Sequence, residues 1–209
     1  MTDRVSDREE KRAFLPENVN KGKKIGYVFT GSFCTLARSL SVLRGLVADG
    51  YDVLPIMSEN AFYIDTRFQK AEEFSNEVEK TTGKKIIHTI VDAEPIGPEI
   101  ALDALVVAPC TGNTLAKAAL GITDTAATMA IKAHLRKDRP MLIALATNDA
   151  MSQNLANIGT MLKRKSVAFV PMKQDSPNGK PHSLVAEFER IPECLGALLR
   201  SEQIRPLFL

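Results

Sequence analysis

The sequence predicts an α/β fold in which one doubly wound, mostly parallel sheet of six strands is covered by helices on both faces. Short apolar runs alternate along the chain with amphipathic stretches of helical period. Several of these runs are apolar throughout, which is typical of parallel strands buried on both sides. The chain has 209 residues, 44% of them hydrophobic, which suits a single domain built around one buried sheet.

Two strand-helix units are predicted in the first part of this domain. KIGYVFT (residues 24–30) forms the first strand, and the following helix, with leucines repeating at helical spacing, stops at Gly50. DVLPIMS (residues 52–58) forms the second strand. The helix after ENAFYIDTR ends at Gly83, because the position just after a helix favours glycine.

The same alternation continues to the end of the chain. Four more strands are predicted, in chain order KIIHTIV (85–91), ALVVAP (104–109), MLIALAT (141–147) and VAFVP (167–171). A helical stretch is expected over residues 113–137. A helical tail is expected over about residues 183–201, bent or broken at Pro192.

Residues 1–20 are rich in charge and have little to bury. We expect them to form a mobile N-terminal arm before a domain at residues 21–209, or alternatively to cap a neighbouring protomer. The net charge of +2, from 27 basic and 25 acidic residues without a basic run, does not favour nucleic-acid binding. No apolar run approaches the ~20 residues that cross a bilayer. Three widely spaced cysteines argue against a metal site or disulfide framework and favour the cytoplasm.

Polar residues follow the first two strands, at the edge where doubly wound sheets bind ligands. Thr30, Gly31 and Ser32 resemble a phosphate cradle, in which glycine allows close backbone approach and the hydroxyls donate hydrogen bonds. Ser58, after the second strand, offers a further hydroxyl. Helix capping alone would also explain these serines and threonines.

The stretch APCTGNTLAKAALGITD follows the fourth predicted strand. Its turn, Cys110, Thr111, Gly112, Asn113 and Thr114, is slim and polar, and suits a flat ligand lying against the backbone. The alternatives are an ordinary N-cap at Asn113 and a buried, inert thiol at Cys110.

Other candidate residues lie on loops. Asn148 follows the fifth strand, as Asn113 follows the fourth, which favours a shared pocket; Met151 lies close behind it. Lys180 lies in a Gly- and Pro-rich loop that is either a lid or a plain surface loop. Arg67 would bind a carboxylate or form a surface ion pair.

Two of these stretches resemble the flavin-dependent cysteine-decarboxylase superfamily, which includes phosphopantothenoylcysteine decarboxylase and flavin prenyltransferase. In PCTGNTLAKAALGITD, Pro109, Asn113 and Thr114 match the PASANT motif. TGS (30–32) resembles the FMN-phosphate loop, and Ser58 begins a stretch that is similar to the second phosphate-side segment.

ATNDAMSQN resembles the PxMNxxMW substrate clamp of the same superfamily. It keeps Asn148 and Met151, but Leu145, Thr147 and Ser152 replace the Pro, the first Met and the Trp. These replacements weigh against a decarboxylase reaction.

Within the superfamily, the chain from about Gly22 onward most closely resembles the B subunits of dipicolinate synthases. The resemblance rests on DTRFQKAEEF, IVDAEPIGP, APCTGNTLAK, LATNDA and QDSPNGKPHSLVA. It implies a Rossmann-like fold, FMN as cofactor, trimer-based homo-oligomers with the flavin near a subunit interface, and formation of dipicolinic acid in the mother cell of a sporulating bacterium.

The dicarboxylate substrate implied by the resemblance suggests roles for residues, and its charge requires cationic donors. Asn113 and Asn148 would orient a small dicarboxylate substrate at the flavin, and Arg67 or Lys180, with Met151 nearby, would hold it. Oxidation of a hydroxylated tetrahydro precursor to the pyridine removes water and two electrons, which a flavin can accept as hydride. An A subunit using NADP or NAD would be the partner. Two alternatives remain: a non-catalytic binding partner of the A subunit, and a flavin-dependent decarboxylase.

Overall fold

The structure is a computed structural model that describes residues 21–209, so the predicted arm at residues 1–20 lies outside it. One sheet of seven strands forms its centre, in the order β2-β1-β3-β4-β7-β6, with β5 also paired to β4. The strands are β1 (Lys24–Phe29), β2 (Asp52–Met57), β3 (Ala104–Cys110), β4 (Met141–Thr147), β5 (Val167–Phe169), β6 (Met172–Lys173) and β7 (Leu184–Ala186).

Eight α-helices lie around this sheet in the described chain. They are α1 (Leu36–Ala48), α2 (Glu59–Tyr63), α3 (Ala71–Thr82), α4 (Ile90–Ala93), α5 (Gly112–Leu120), α6 (Ala126–Leu135), α7 (Leu155–Leu162) and α8 (Ile191–Leu198). One apolar layer packs α1, α3 and α8 against one face of the sheet. A second layer packs α4 to α7 against the other. The predicted doubly wound α/β fold is therefore confirmed.

The first five strands are all parallel. β1 lies between β2 and β3, β3 pairs with β4, and β4 pairs with β5. Every residue of β3 is buried, as expected for a central strand covered on both faces. The carboxyl ends of β2, β1, β3 and β4 thus meet along one edge of the sheet, which also carries the N-termini of α2 and α5.

The predicted strand at residues 85–91 is wrong. Ile87 forms only an isolated bridge with Ile56. Directly after it, the side chain of Thr89 accepts a hydrogen bond from the N–H of Asp92 at 3.1 Å and starts α4. A local N-cap therefore prevails over the apolar pattern that suggested a strand.

The sheet has seven strands rather than six, because the strand predicted at residues 85–91 is absent and two further strands, β6 and β7, were not predicted. They are two and three residues long, too short to show a period, and β7 pairs antiparallel with both β6 and β4. β7 lies within the predicted helical tail, which is α-helical only from Ile191, after a 3-10 turn at Phe188–Arg190. Pro192 occupies the first turn of α8, where its missing N–H is not needed, so it starts the helix instead of breaking it.

The predicted helical stretch at residues 113–137 is two helices. Gly121 ends α5 in a left-handed conformation, with φ of 74°. Thr125 then begins α6 in a reciprocal capping arrangement with Thr128.

Candidate functional site

A cavity of about 300 Å³ opens where the carboxyl ends of β1, β2 and β3 meet the N-termini of α2 and α5. Its lining is predominantly polar. The lining residues are Gly31, Ser58, Glu59, Asn60, Thr111, Asn113, Thr114, Lys117 and Thr125. Gly31, Ser58, Thr111, Asn113 and Thr114, all predicted from the sequence, therefore meet at one place.

Thr111 organises the start of α5. Its hydroxyl oxygen accepts a hydrogen bond from the N–H of Thr114 at 3.2 Å, and its O–H donates to the Thr114 hydroxyl at 3.0 Å. Thr111, not Asn113, is thus the N-cap. The exposed Asn113 amide has no hydrogen-bond partner within the described chain, and neither do the N–H groups of Gly112 and Asn113. These donors remain for a ligand.

Ser58 can donate a hydrogen bond in addition to capping α2. Its Oγ accepts from the N–H of Ala61 at 3.4 Å, which uses a lone pair and leaves the O–H to donate. Gly31 also lines the cavity and lies beside Asn60, because a Cβ on Gly31 would be 3.3 Å from the Cβ of Asn60. Ser32 lies outside the lining, with its oxygens accepting from the Thr35 hydroxyl.

Thr30 does not offer its hydroxyl to a ligand, contrary to the sequence interpretation. The side chain is fully buried, its O–H donates to the carbonyl oxygen of Pro109 at 2.7 Å, and its oxygen accepts from the N–H of Thr111 at 2.9 Å. A phosphate needs donors, and the single hydroxyl hydrogen is already used. Thr30 instead joins β1 to the turn before α5.

Cys110 and Gly112 contribute to the packing around the site and do not line the cavity. Cys110 is almost fully buried, and burial raises the pKa of its thiol to about 12, which supports the inert-thiol alternative. A Cβ on Gly112 would lie 2.5 Å from Oγ1 of Thr147 and 2.6 Å from Nδ2 of Asn154. Glycine is therefore required for the loop after β4 to approach α5 closely.

That loop is held by a carboxylate. Asp149 accepts hydrogen bonds from the hydroxyl of Thr147 at 2.5 Å and from the amide of Asn154 at 2.9 Å. Asn148 lies between these anchors with an exposed side chain, on a loop adjoining that of Asn113, although it does not line the cavity. Met151 is exposed, and its N–H donates to the carbonyl oxygen of His182.

The two predicted carboxylate-binding cations are not brought to the cavity. The Arg67 guanidinium lies 4.8 Å from the ring centroid of Phe68, on the surface. Lys180 forms an exposed ion pair with Asp175 at 2.9 Å. Neither lines the cavity within the described chain.

Four lining residues were missed from the sequence: Glu59, Asn60, Lys117 and Thr125. Glu59 and Asn60 directly follow Ser58, and Lys117 is four residues after Asn113, so helical spacing could have found it. Thr125 could have been found as the cap of a helix separated from α5 by Gly121. In the described residues, no group of three or more His, Cys, Asp or Glu side chains could hold a metal ion.

A family model for flavoproteins matches residues 15–203. The chain belongs to the flavoprotein family. It is also 38% identical over 189 residues to the B subunit of dipicolinate synthase from Bacillus subtilis (strain 168), covering 90% of this chain and 94% of that protein. This flavoprotein is thus a homologue of the Bacillus subtilis protein. Between residues 21 and 209, no helix has the length and hydrophobicity needed to cross a membrane.

Solved structures agree with this assignment. The dipicolinate synthase B subunit from Bacillus halodurans superposes with a TM-score of 0.83 at 38% identity, covering 91% of this chain and 97% of that one. The FMN-dependent cysteine decarboxylase SpaF gives a TM-score of 0.62 at 21% identity, covering 86% and 97%. At 21% identity, the match to SpaF shows a shared fold.

Proposed function

We propose that this flavoprotein is an FMN-binding B subunit of a dipicolinate synthase. With an A subunit it would convert a hydroxy-tetrahydrodipicolinate, or dihydrodipicolinate, to dipicolinic acid during sporulation. The observation that carries the proposal is the polar cavity at the carboxyl ends of β1, β2 and β3. Five of the site residues predicted from the sequence line it. The relative in Bacillus subtilis and the structure from Bacillus halodurans support this choice.

The cavity residues fit the phosphate of FMN. Gly31 has no side chain to block approach, Ser58 retains its O–H, and α5 presents N–H groups at its positive end. The slim turn from Thr111 to Thr114 suits the flat ring system. A bound flavin would supply a two-electron acceptor for hydride.

The chain's own contribution is orientation. The Asn113 amide lines the cavity and has no partner within the described chain, so we infer that it hydrogen-bonds a dicarboxylate beside the ring. We assign the same role to Asn148, which lies outside the lining on the adjoining loop held by Asp149. Among the described residues that line the cavity, Glu59 and Lys117 are the titratable ones. Because no acid-base pair is formed between them, we assign the remaining steps to an A subunit that uses NADP or NAD.

A second candidate is a non-catalytic role, in which the chain binds flavin or substrate and stabilises the A subunit. The small number of ionisable groups in the cavity favours it.

We also propose a homo-oligomer built from trimers. Several large apolar side chains are exposed on the single chain, among them Tyr63, Ile64, Phe68, Leu120 and Leu155, and such residues suit contacts between protomers. Light scattering with FMN present should give a mass larger than a dimer; a monomer mass would contradict this part of the proposal.

The proposed function is tested with the purified full chain, excess FMN and an A subunit. After desalting, the chain should retain flavin absorbance, and the mixed subunits should form dipicolinate faster than either alone while the flavin is bleached and reoxidised. Flavin retained without bleaching would favour the non-catalytic role. No retained flavin would refute the cofactor assignment.

A further inference from the structure

Lys117 is the cation that the cavity contains, although the sequence pointed to Arg67 and Lys180. Among the described residues that line the cavity it alone carries a positive charge, opposed by one carboxylate, Glu59. The remaining lining residues are neutral hydroxyl, amide or glycine residues. A dianionic ligand in this space would therefore have Lys117 as its nearest opposite charge from a side chain.

The position of Lys117 follows from the helix. It lies three residues after Thr114 and four after Asn113, so the three side chains project from the same side of α5. The rise of about 1.5 Å per residue places the Lys117 backbone about 6 Å along the axis from that of Asn113. A lysine side chain can span that distance back toward the start of the helix.

The ammonium group is held in place by Asp124. Its Nζ lies 2.7 Å from Oδ2 of Asp124, and only 23% of the lysine side chain is exposed. The left-handed turn at Gly121 returns the chain, and the N–H of Ile122 donates to the carbonyl oxygen of Lys117 at 2.9 Å. The hydrogen bond from the Lys117 ammonium lowers the pKa of the Asp124 carboxyl, which keeps that carboxyl ionised at neutral pH.

The contact with Asp124 leaves the Lys117 ammonium with unused hydrogen-bond donors. Lys117 has three donors, one of which faces Asp124, so two remain for a ligand. The cavity lining also includes Asn113 at the positive end of α5, and the N–H of Asn113 has no partner among the described residues. Together they form a surface that favours an oxyanion with two or more acceptor oxygens.

We propose that Lys117 binds an oxyanionic group of the ligand and that Asp124 positions it. The proposal rests on the proposed function, because the ligand is taken to be FMN, a dicarboxylate, or both. The oxyanion is either the FMN phosphate or a substrate carboxylate. Arg67 and Lys180, held on the surface by Phe68 and Asp175, are not needed for this contact.

The test compares Lys117→Met with the full-length parent. Methionine keeps an unbranched side chain and a good helix propensity but removes the charge. Lys132→Met, on the exposed side of α6 and outside the cavity lining, is the matched control for losing one positive charge. Lys117→Arg keeps the charge and should retain most of the affinity. Titrations use FMN, riboflavin, which lacks the phosphate, and dipicolinate added to FMN-loaded protein.

A phosphate contact predicts that Lys117→Met binds FMN roughly tenfold to a hundredfold more weakly while riboflavin binding is unchanged. A carboxylate contact predicts the same loss for dipicolinate with FMN binding unchanged. Affinities all within about twofold of the parent, or equal losses for FMN and riboflavin, would overturn the proposal and leave the cofactor assignment standing. A parent that binds neither FMN nor dipicolinate would overturn both.

Discussion

The hydroxyl of Thr30 donates a hydrogen bond to the carbonyl oxygen of Pro109 at 2.7 Å and so joins the carboxyl ends of β1 and β3. The same oxygen accepts from the N–H of Thr111 at 2.9 Å. Both backbone partners belong to the turn that leads into α5. Thr30 therefore sets the position of the Asn113 segment without lining the cavity itself.

Replacing Thr30 by valine should destabilise the fold, because valine has nearly the same shape but cannot make either hydrogen bond. The partly buried N–H of Thr111 would lose its partner, at a cost of about 1–3 kcal/mol. In a domain of this size the melting temperature should fall by roughly 2–12 °C. Thermal unfolding followed by circular dichroism measures this.

Thr30→Ser keeps the hydroxyl and should lose much less stability. Thr81→Val is the matched control, because the Thr81 hydroxyl donates to a carbonyl on an exposed helix surface. Equal melting temperatures for Thr30→Val and the parent would show that the two hydrogen bonds do not stabilise the turn.

The sequence located the strand ends well but could not tell which hydroxyls face the cavity. Thr30 and Gly31 are adjacent, yet one is buried in a backbone junction and the other lines the cavity. The direction of a side chain at the end of a strand depends on the next strand, and Pro109 is 79 residues away. The prediction for residues 85–91 failed for the opposite reason, since a short-range cap at Thr89 overrode a convincing apolar run.

Gly31→Val should weaken FMN binding while leaving the fold intact. Its Cβ would lie 3.3 Å from that of Asn60 and 3.6 Å from the ring of Phe33, and the branched methyl groups would crowd the cavity. Crowding of this kind costs about 1–3 kcal/mol, or roughly fivefold to 150-fold in Kd. Flavin fluorescence quenching gives the Kd.

Gly45→Val is the control for the glycine change, because nothing lies within 4 Å of a Cβ at that exposed position. It should bind FMN as the parent does. If Gly31→Val also binds FMN with parental affinity, the phosphate does not approach this part of the backbone.

The three cysteines should differ sharply in reactivity. Burial raises the pKa of both Cys110 and Cys194 to about 12, so at pH 8 only about one thiol in ten thousand is a thiolate at either site. Cys34 is exposed. Iodoacetamide should therefore modify the native protein once, at Cys34, and all three cysteines after unfolding in guanidinium.

Peptide mass spectrometry identifies the modified residue, and Cys34→Ser should abolish native labelling. Labelling at Cys110 faster than global unfolding would mean that the turn before α5 opens in the native state, and that the thiol can reach the cavity after all.

The cations that were predicted or are proposed to bind the ligand show which parts of the site the sequence could predict. Arg67 and Lys180 were chosen for their chemistry, but each finds a partner on its own loop, Phe68 and Asp175. Lys117 lies in the same predicted motif as Asn113 and four residues after it, so its position in the cavity lining agrees with helical spacing. The sequence could therefore have predicted that Lys117 on α5 lines the cavity. It could not predict where Arg67 and Lys180 lie, because the positions of their loops depend on tertiary packing.

Asn113→Ala should lower turnover by the mixed subunits while FMN stays bound. Thr111, not Asn113, caps α5, so the change removes an exposed amide without removing the cap or the hydrogen bonds of Thr114. If the amide orients the substrate in the transition state, kcat should fall by roughly tenfold with little change in melting temperature. Asn76→Ala, an exposed asparagine on α3, is the control. Steady-state kinetics and flavin absorbance of the same samples separate catalysis from binding: loss of FMN together with activity would make Asn113 a cofactor ligand, and parental kcat would remove it from the proposed mechanism.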